Sequence, residues 1–278
     1  MKRPLVGQSA GDFDYTTDQS ARIARRMAHG VYRITHAGQE VGEEAWTLLA
    51  LLNGGYRVMT EIDLQWPTRN EQRVQLDVDD RWNILGLWAQ IDISGVRRVA
   101  AYIPSGNRLN VELTDLAISD EDQRSGKWRL RSDVNALNPI PPRLSASPIM
   151  APRRKVVQHQ LIFEPGTHID FASAMFNYVV LKRLGLTPGT AAPFSSVVVT
   201  LPSLEPLNIR QTYRYDADEP PGPDITQAPL RRHIITETGS PDMLTTFWCD
   251  QRDIVQKQEL MLNGALHGCE IVSYRWQQ

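Results

Sequence analysis

Only two cysteines occur in 278 residues, Cys249 and Cys269, so the chain has no disulfide framework and no cysteine-based metal site by spacing. The two could face each other on neighbouring strands, but a pair of buried thiols in a reducing compartment is the simpler reading. Long apolar runs are missing too. No segment approaches the roughly 18 consecutive apolar residues of a membrane span. The opening stretch, MKRPLVGQSAGDFDYTTDQ, has basic residues but no apolar run of signal-peptide length behind them. These absences predict a cytoplasmic protein without an integral membrane span. Nor is there a basic surplus: 30 Lys and Arg stand against 32 Asp and Glu, a net charge of −2. That excludes a general nucleic-acid binder, which must neutralise phosphates. The basic clusters at Arg22, Arg25, Arg26 and Arg153–Lys155 therefore read as solvated faces.

Catalytic signatures are equally scarce. There is no G-x-S-x-G elbow, phosphate loop or dinucleotide fingerprint. The six histidines, at 29, 36, 159, 168, 233 and 267, are scattered, and His168-x-Asp170 is the nearest approach to a ligand pair. Asp120, Glu121 and Asp122 lack the alternating ligand spacing of a calcium loop. Glu44 and Glu270 could act as a carboxylate pair if two sheet halves face each other, but two exposed strand residues near turns is the plainer reading. The expectation is no catalytic residue, no metal and no cofactor.

What the chain has in abundance is alternation. In Tyr56–Trp66 the even positions read Tyr, Val, Thr, Ile, Leu, Trp and the odd ones Arg, Met, Glu, Asp, Gln. Successive strand side chains point to opposite faces, so this is a strand with one dry and one wet face. The same pattern recurs at Val74–Val78, Leu109–Leu113 and Leu207–Tyr215, as expected of antiparallel sheet. Strands are predicted at about 28–36, 40–52, 55–66, 72–79, 82–93, 97–103, 107–116, 127–131, 155–164, 195–201, 207–216, 230–238, 243–250, 253–262 and 268–276. The 82–93 segment is apolar on both faces and reads as a central strand covered on both sides.

The proline-rich stretch 132–154 reads as a crossover between two halves of a single domain spanning 1–278, and 218–229 as a surface loop. The clearest helix is 171–184, capped by Asp170 and ended at Gly185, with Lys182 and Arg183 in its last turn. Thr17–Ala28 is either a second helix or extended. One phrase is written twice: Gly38, Gly42 and Glu44 in HAGQEVGEEAWTLL are echoed by Gly264, Gly268 and Glu270 in NGALHGCEIVSYRW. Both read as hairpins, leaving two related halves or coincidence as alternatives.

Three stretches together, GVYRITHAGQEVGEEAWTL, THIDFASAMFNYVVLKRLGL and TTFWCDQRDIVQKQEL, resemble in their order uncharacterised bacterial β-roll domains. That group is similar in fold to the β-rolls assigned to glycolipid binding and to the periplasmic lipoprotein carriers (localisation factors). The resemblance implies a strongly curved antiparallel sheet wrapped around one main helix, with an apolar cavity between them. It supplies no catalytic residue. The lack of an export signal and the long Pro-rich middle depart from it.

The reading is thus a mainly β protein, a β-roll or half-barrel around one helix, that sequesters an apolar or amphipathic small molecule such as a lipid or glycolipid. Trp46, Trp66, Trp88, Phe171, Met175, Tyr178 and Tyr213 are the expected ligand-binding residues on the concave face. If the helix is a pocket wall, the adaptable Met175 should tolerate replacement by Trp. An enzyme for an apolar substrate and a structural domain with a filled core are the alternatives.

Overall fold

In the computed structural model, residues 23–93, 96–117, 155–219, 228–238, 240–262 and 264–277 are described. Fifteen strands and one helix lie among them. The first eight strands are β1 (Ile23–His36), β2 (Gln39–Leu51), β3 (Tyr56–Leu64), β4 (Asn70–Val78), β5 (Ile84–Ile93), β6 (Val96–Ser105), β7 (Arg108–Ala117) and β8 (Lys155–Ile162). The short β9 (His168–Asp170) leads to the helix α1 (Ala174–Leu184). Then follow β10 (Ala191–Val199), β11 (Pro206–Glu219), β12 (Leu230–Glu237), β13 (Ser240–Cys249), β14 (Val255–Leu262) and β15 (Ala265–Trp276).

All fifteen strands belong to one sheet, in which β8 back to β1 is followed by β15 back to β9. Only the β9–β10 pair is parallel. Two meanders are therefore joined by β1 against β15, while the repeated phrase runs from the hairpin turns into β2 and β15. Their hairpins touch, with the Ala37 N–H donating to the Leu266 carbonyl at 2.8 Å. Gly38 and Gly264 turn the two hairpins at φ +78° and +76°, values that side chains with a Cβ rarely adopt. The echo ends there: Glu44 is buried and Glu270 is exposed.

Alternation translates directly into faces. Val58, Thr60 and Ile62 point into the core. On the wet face the cross-strand partners are charged: Arg57 meets Asp77 at 2.7 Å and Arg73 meets Glu61 at 3.1 Å. So wide a twisted sheet must curl. It remains open, and its β9 end is rolled inward against β5. The buried Tyr102 hydroxyl on β6 donates to the Leu204 carbonyl in the turn between β10 and β11. Arg98 reaches the Ser203 carbonyl beside it at 3.3 Å.

Inside the curl sits α1, with every residue from Ala174 to Leu181 buried. A helix buried on all sides is interior, not a lid. Its cap is Ser173, extended at φ −131°, which accepts from the Met175 N–H at 3.2 Å. Asp170 was the expected cap, but it ends β9, three residues too early. At the other end Gly185 is left-handed at φ 55°, and its N–H donates to the Leu181 carbonyl at 3.0 Å.

Some expectations change. Ile23–Ala28 is strand, as the extended alternative had it. β9 had no strand signal of its own. Trp82 lies in the turn before β5 at φ 66° and stacks on Tyr56 at 4.2 Å. A bulge between Asp77 and Val78 pairs Val78 with Ile84, so Ile84 joins Leu87 inside and Leu85 is left exposed. The 127–131 strand, the 132–154 crossover, Trp128 and Asp120–Asp122 lie outside the described residues. No described helix is long and apolar enough to cross a membrane.

Met175 is 0% exposed, and the Tyr32 hydroxyl points at its sulfur from 3.7 Å. Contact on every side removes the reason to expect tolerance of Met175→Trp. The larger ring should now cost about 1–3 kcal/mol through overpacking, measured by chemical denaturation. Unchanged stability would show that the helix is not packed as described.

Candidate functional site

Three successive inward-facing rows, read along the strands, grade from dry to open. The deepest runs Tyr32, Glu44, Ile62, Gln72 and Ile91 across β1 to β5, and all five are buried. One step outward lie Ile34, Gly42, Leu64, Asn70 and Ile93, with Cys269 beside Ile34 on β15. Here Ile34, Leu64, Ile93 and Cys269 face inward yet are only half-buried. Gly42 has no room for a side chain, since a Cβ would fall 2.1 Å from the Asp63 carbonyl oxygen. The rim carries His36 and His267, paired across β1 and β15, and Trp66 just past β3. Trp66 is 47% exposed and stacks on His36, with ring centroids 4.1 Å apart and planes 20° apart. Together these rows form a shallow apolar mouth with an aromatic rim.

The floor of the mouth is polar at two points, at Gln72, which donates to Asn70 Oδ1 at 2.8 Å, and at Glu44. Glu44 is 1% exposed and sits at the N-terminus of α1. It accepts from the Ser173 hydroxyl at 2.5 Å and from the Ala174 N–H at 3.3 Å. Burial raises its pKa to about 7, against the lowering effect of those two hydrogen bonds. The Ser173 hydroxyl gives its proton to Glu44 and takes the Met175 N–H, so it is a cap and not a free nucleophile. Burial also pushes the Cys269 thiol up, with Glu44 adding to the effect. Cys249 and Cys269 are both free.

Of the expected ligand-binding residues, five fill the interior. Trp46 is buried between Tyr32, at 6.0 Å, and Tyr274, at 6.4 Å. Phe171 packs edge-on against Phe176 at 6.1 Å. Met175 is enclosed as described above, and Tyr178 meets Trp82 at 5.4 Å. The Tyr213 hydroxyl donates to Asn177 Oδ1 at 2.7 Å. Trp88 is on the other face, in register with Gln75 and Ala101, where it cannot meet a ligand in the concavity. Trp66 alone of the seven lies at the mouth. Sequence reasoning missed Ile34, Leu64 and Ile93 as mouth residues, because alternation marks a face but not depth along the strand. It singled out Glu44 as a carboxylate but preferred to read it as exposed, because its inward register depends on hairpin geometry.

At the far end of α1 a second feature opens, a cleft of about 220 Å³ lined by Leu181, Lys182, Gly185, Leu186, Arg231, His233 and Asp253. Its cations are already engaged: Lys182 pairs with Asp253, and Arg231 meets the same carboxylate at 2.8 Å. His233 is stacked on Phe247 at 5.1 Å, and burial holds its pKa down at about 4. His168, the candidate ligand, is buried between Phe176 and Phe194, and burial depresses it to about 3. Among the described residues no group of three or more His, Cys, Asp or Glu could hold a metal.

Fold and mouth together define an open, β-barrel-like protein built from one curled antiparallel sheet. No protein-family model and no curated protein matches the sequence. One solved structure shares the architecture. The chain is similar to a β-barrel-like protein of the domain of unknown function DUF1849 from Brucella abortus, at TM-score 0.53 and 8% identity, over 93% of this chain and 100% of that one. A DUF1089 family protein from Pseudomonas aeruginosa matches at TM-score 0.46 and 15% identity, over 79% of this chain and 89% of that one.

Glu44 makes stability depend on pH in a stated direction. A carboxyl whose folded pKa exceeds its unfolded value favours folding fully below the unfolded value, and that contribution is lost as pH rises through the folded one. For Glu44 the window runs from 4.5 to about 7. Glu44→Gln keeps an acceptor but never ionises, so relative to wild type it should gain on the order of 3 kcal/mol between roughly pH 5 and 8. His168 and His233 oppose this at acid pH in both proteins and cancel from the difference. Denaturation of the pair across that range measures it, and a pH-independent difference would refute the assignment.

Proposed function

We propose that the protein is a non-catalytic binder of an amphipathic small molecule of the lipid or glycolipid class, taken at the mouth and not deep in the sheet. The observation carrying this reading is the row of inward-facing but half-buried Ile34, Leu64 and Ile93 beneath the exposed Trp66. Apolar side chains that face a concavity and remain wetted are the surface an aliphatic chain would cover, at about 0.8 kcal/mol per buried methylene. The Trp66–His36 stack offers a flat face to a sugar or other polar head. The filled interior limits the tail to a short insertion, with α1 as a fixed floor. The likeness to β-rolls assigned to glycolipid binding and to lipoprotein carriers agrees with this reading through fold alone, and fold does not dictate function.

The test is titration of a fluorescent fatty acid and of a short-chain glycolipid into the purified protein. Saturable binding is expected, weakened roughly two- to tenfold by Trp66→Ala and abolished by Leu64→Glu. Leu85→Glu, on the opposite face, should bind as wild type does. Absence of saturable binding, or equal loss in all three variants, would overturn the reading.

A further inference from the structure

The rim also holds two imidazoles in an unusual relation. His36 Nδ1 and His267 Nδ1 face each other at 3.4 Å, on paired positions of β1 and β15. The ring planes are tilted by 58° with centroids 4.5 Å apart, so the contact is not a parallel stack. A hydrogen bond between the two nitrogens would close to about 3.0 Å. Two ligands each roughly 2.0–2.1 Å from a tetrahedral zinc lie about 3.3–3.4 Å apart, along one edge of the tetrahedron. The observed separation is that of such an edge, and the rings must swing slightly apart for both lone pairs to meet on one metal.

We propose that His36 and His267 form a two-imidazole site for a divalent transition metal of the zinc class, at the mouth of the sheet. Three features support it. The backbone ladder between β1 and β15 holds both Cα atoms in register. The stack on Trp66 fixes the His36 ring, the kind of outer support that orients metal-binding imidazoles. Both rings are half-buried at the rim, which leaves a path from solvent. No third His, Cys, Asp or Glu joins them among the described residues, so positions remain open for water or an exogenous ligand. With two protein ligands the site has one fewer than the three of a catalytic zinc centre, so it would hold its metal more weakly and leave two positions to water or an exogenous ligand. The site shares His36 with the stack that would meet an amphiphile's head, but it does not depend on that reading, because metal uptake is tested without any amphiphile present.

The experiment is calorimetric titration of the full chain with zinc chloride, and with cobalt(II) followed by visible absorption. One equivalent of metal per chain is expected, with the intense visible bands of tetrahedral cobalt. His36→Ala and His267→Ala should each weaken binding by at least about tenfold, the scale at which even outer partners of a metal site matter. His159→Ala, on β8, should not. Circular dichroism checks that each variant is folded, and His267→Gln provides a second, milder removal of the ligand. No saturable uptake, uptake unchanged in both rim variants, or a pale octahedral cobalt spectrum would each overturn the proposal.

Discussion

At its N-terminus the helix is fastened to the sheet by one buried carboxylate, Glu44. A helix placed wholly inside a curled sheet brings its first N–H groups into a dry interior, where each must find an acceptor. Ser173 supplies one from within the helix, and Glu44 supplies another from β2 while also accepting the Ser173 hydroxyl. The helix dipole favours a negative charge at that end, but burial opposes it strongly enough to raise the pKa to about 7. Near neutrality Glu44 is thus divided between its two forms, and the attachment of α1 depends on which one dominates. Removing its oxygens would leave the Ala174 N–H and the Ser173 hydroxyl without their acceptor, the costly case for a buried polar group.

That attachment explains the division between filled interior and open mouth. With α1 fixed at the level of Glu44, the sheet below is packed with Met175, Phe176, Tyr178 and Val179, all essentially inaccessible. Above it the strands of β1 to β5 run on for one more inward position, and β1 and β15 for a second. Ile34, Leu64 and Ile93 occupy the first of these, and the His36, His267 and Trp66 rings the second. The sheet does not close on itself, and its β9 end is rolled inward, with the Leu204 turn held against Tyr102.

Much of this architecture was legible in the chain, for definite reasons. The period-two pattern at Tyr56–Trp66 reports a face because one side of β3 is dry and the other carries cross-strand ion pairs. The helix was visible because its Lys182, Arg183 and Gly185 end is a local signal. What escaped was whatever depends on contacts distant in sequence. Asp170 and Ser173 are both good caps, and only the turn after β9 decides between them. The bulge at Asp77 reverses the facing of Ile84 and Leu85, which alternation alone cannot foresee. Trp88 is as apolar as Trp46 yet lies on the opposite face. Met175 read as a pocket wall because its apolar neighbours on the helix look the same whether they face a ligand or Tyr32. Glu44 read as exposed because a carboxylate in a strand usually is.

The central claim is that Glu44 is buried at the helix N-terminus and holds α1 in place. Carbon-13 NMR of glutamate-labelled protein, with Glu44→Gln to assign the signal, measures its titration directly. The account predicts a carboxyl midpoint near 7. A midpoint at the ordinary value of 4.5 would place Glu44 in solvent and contradict the account.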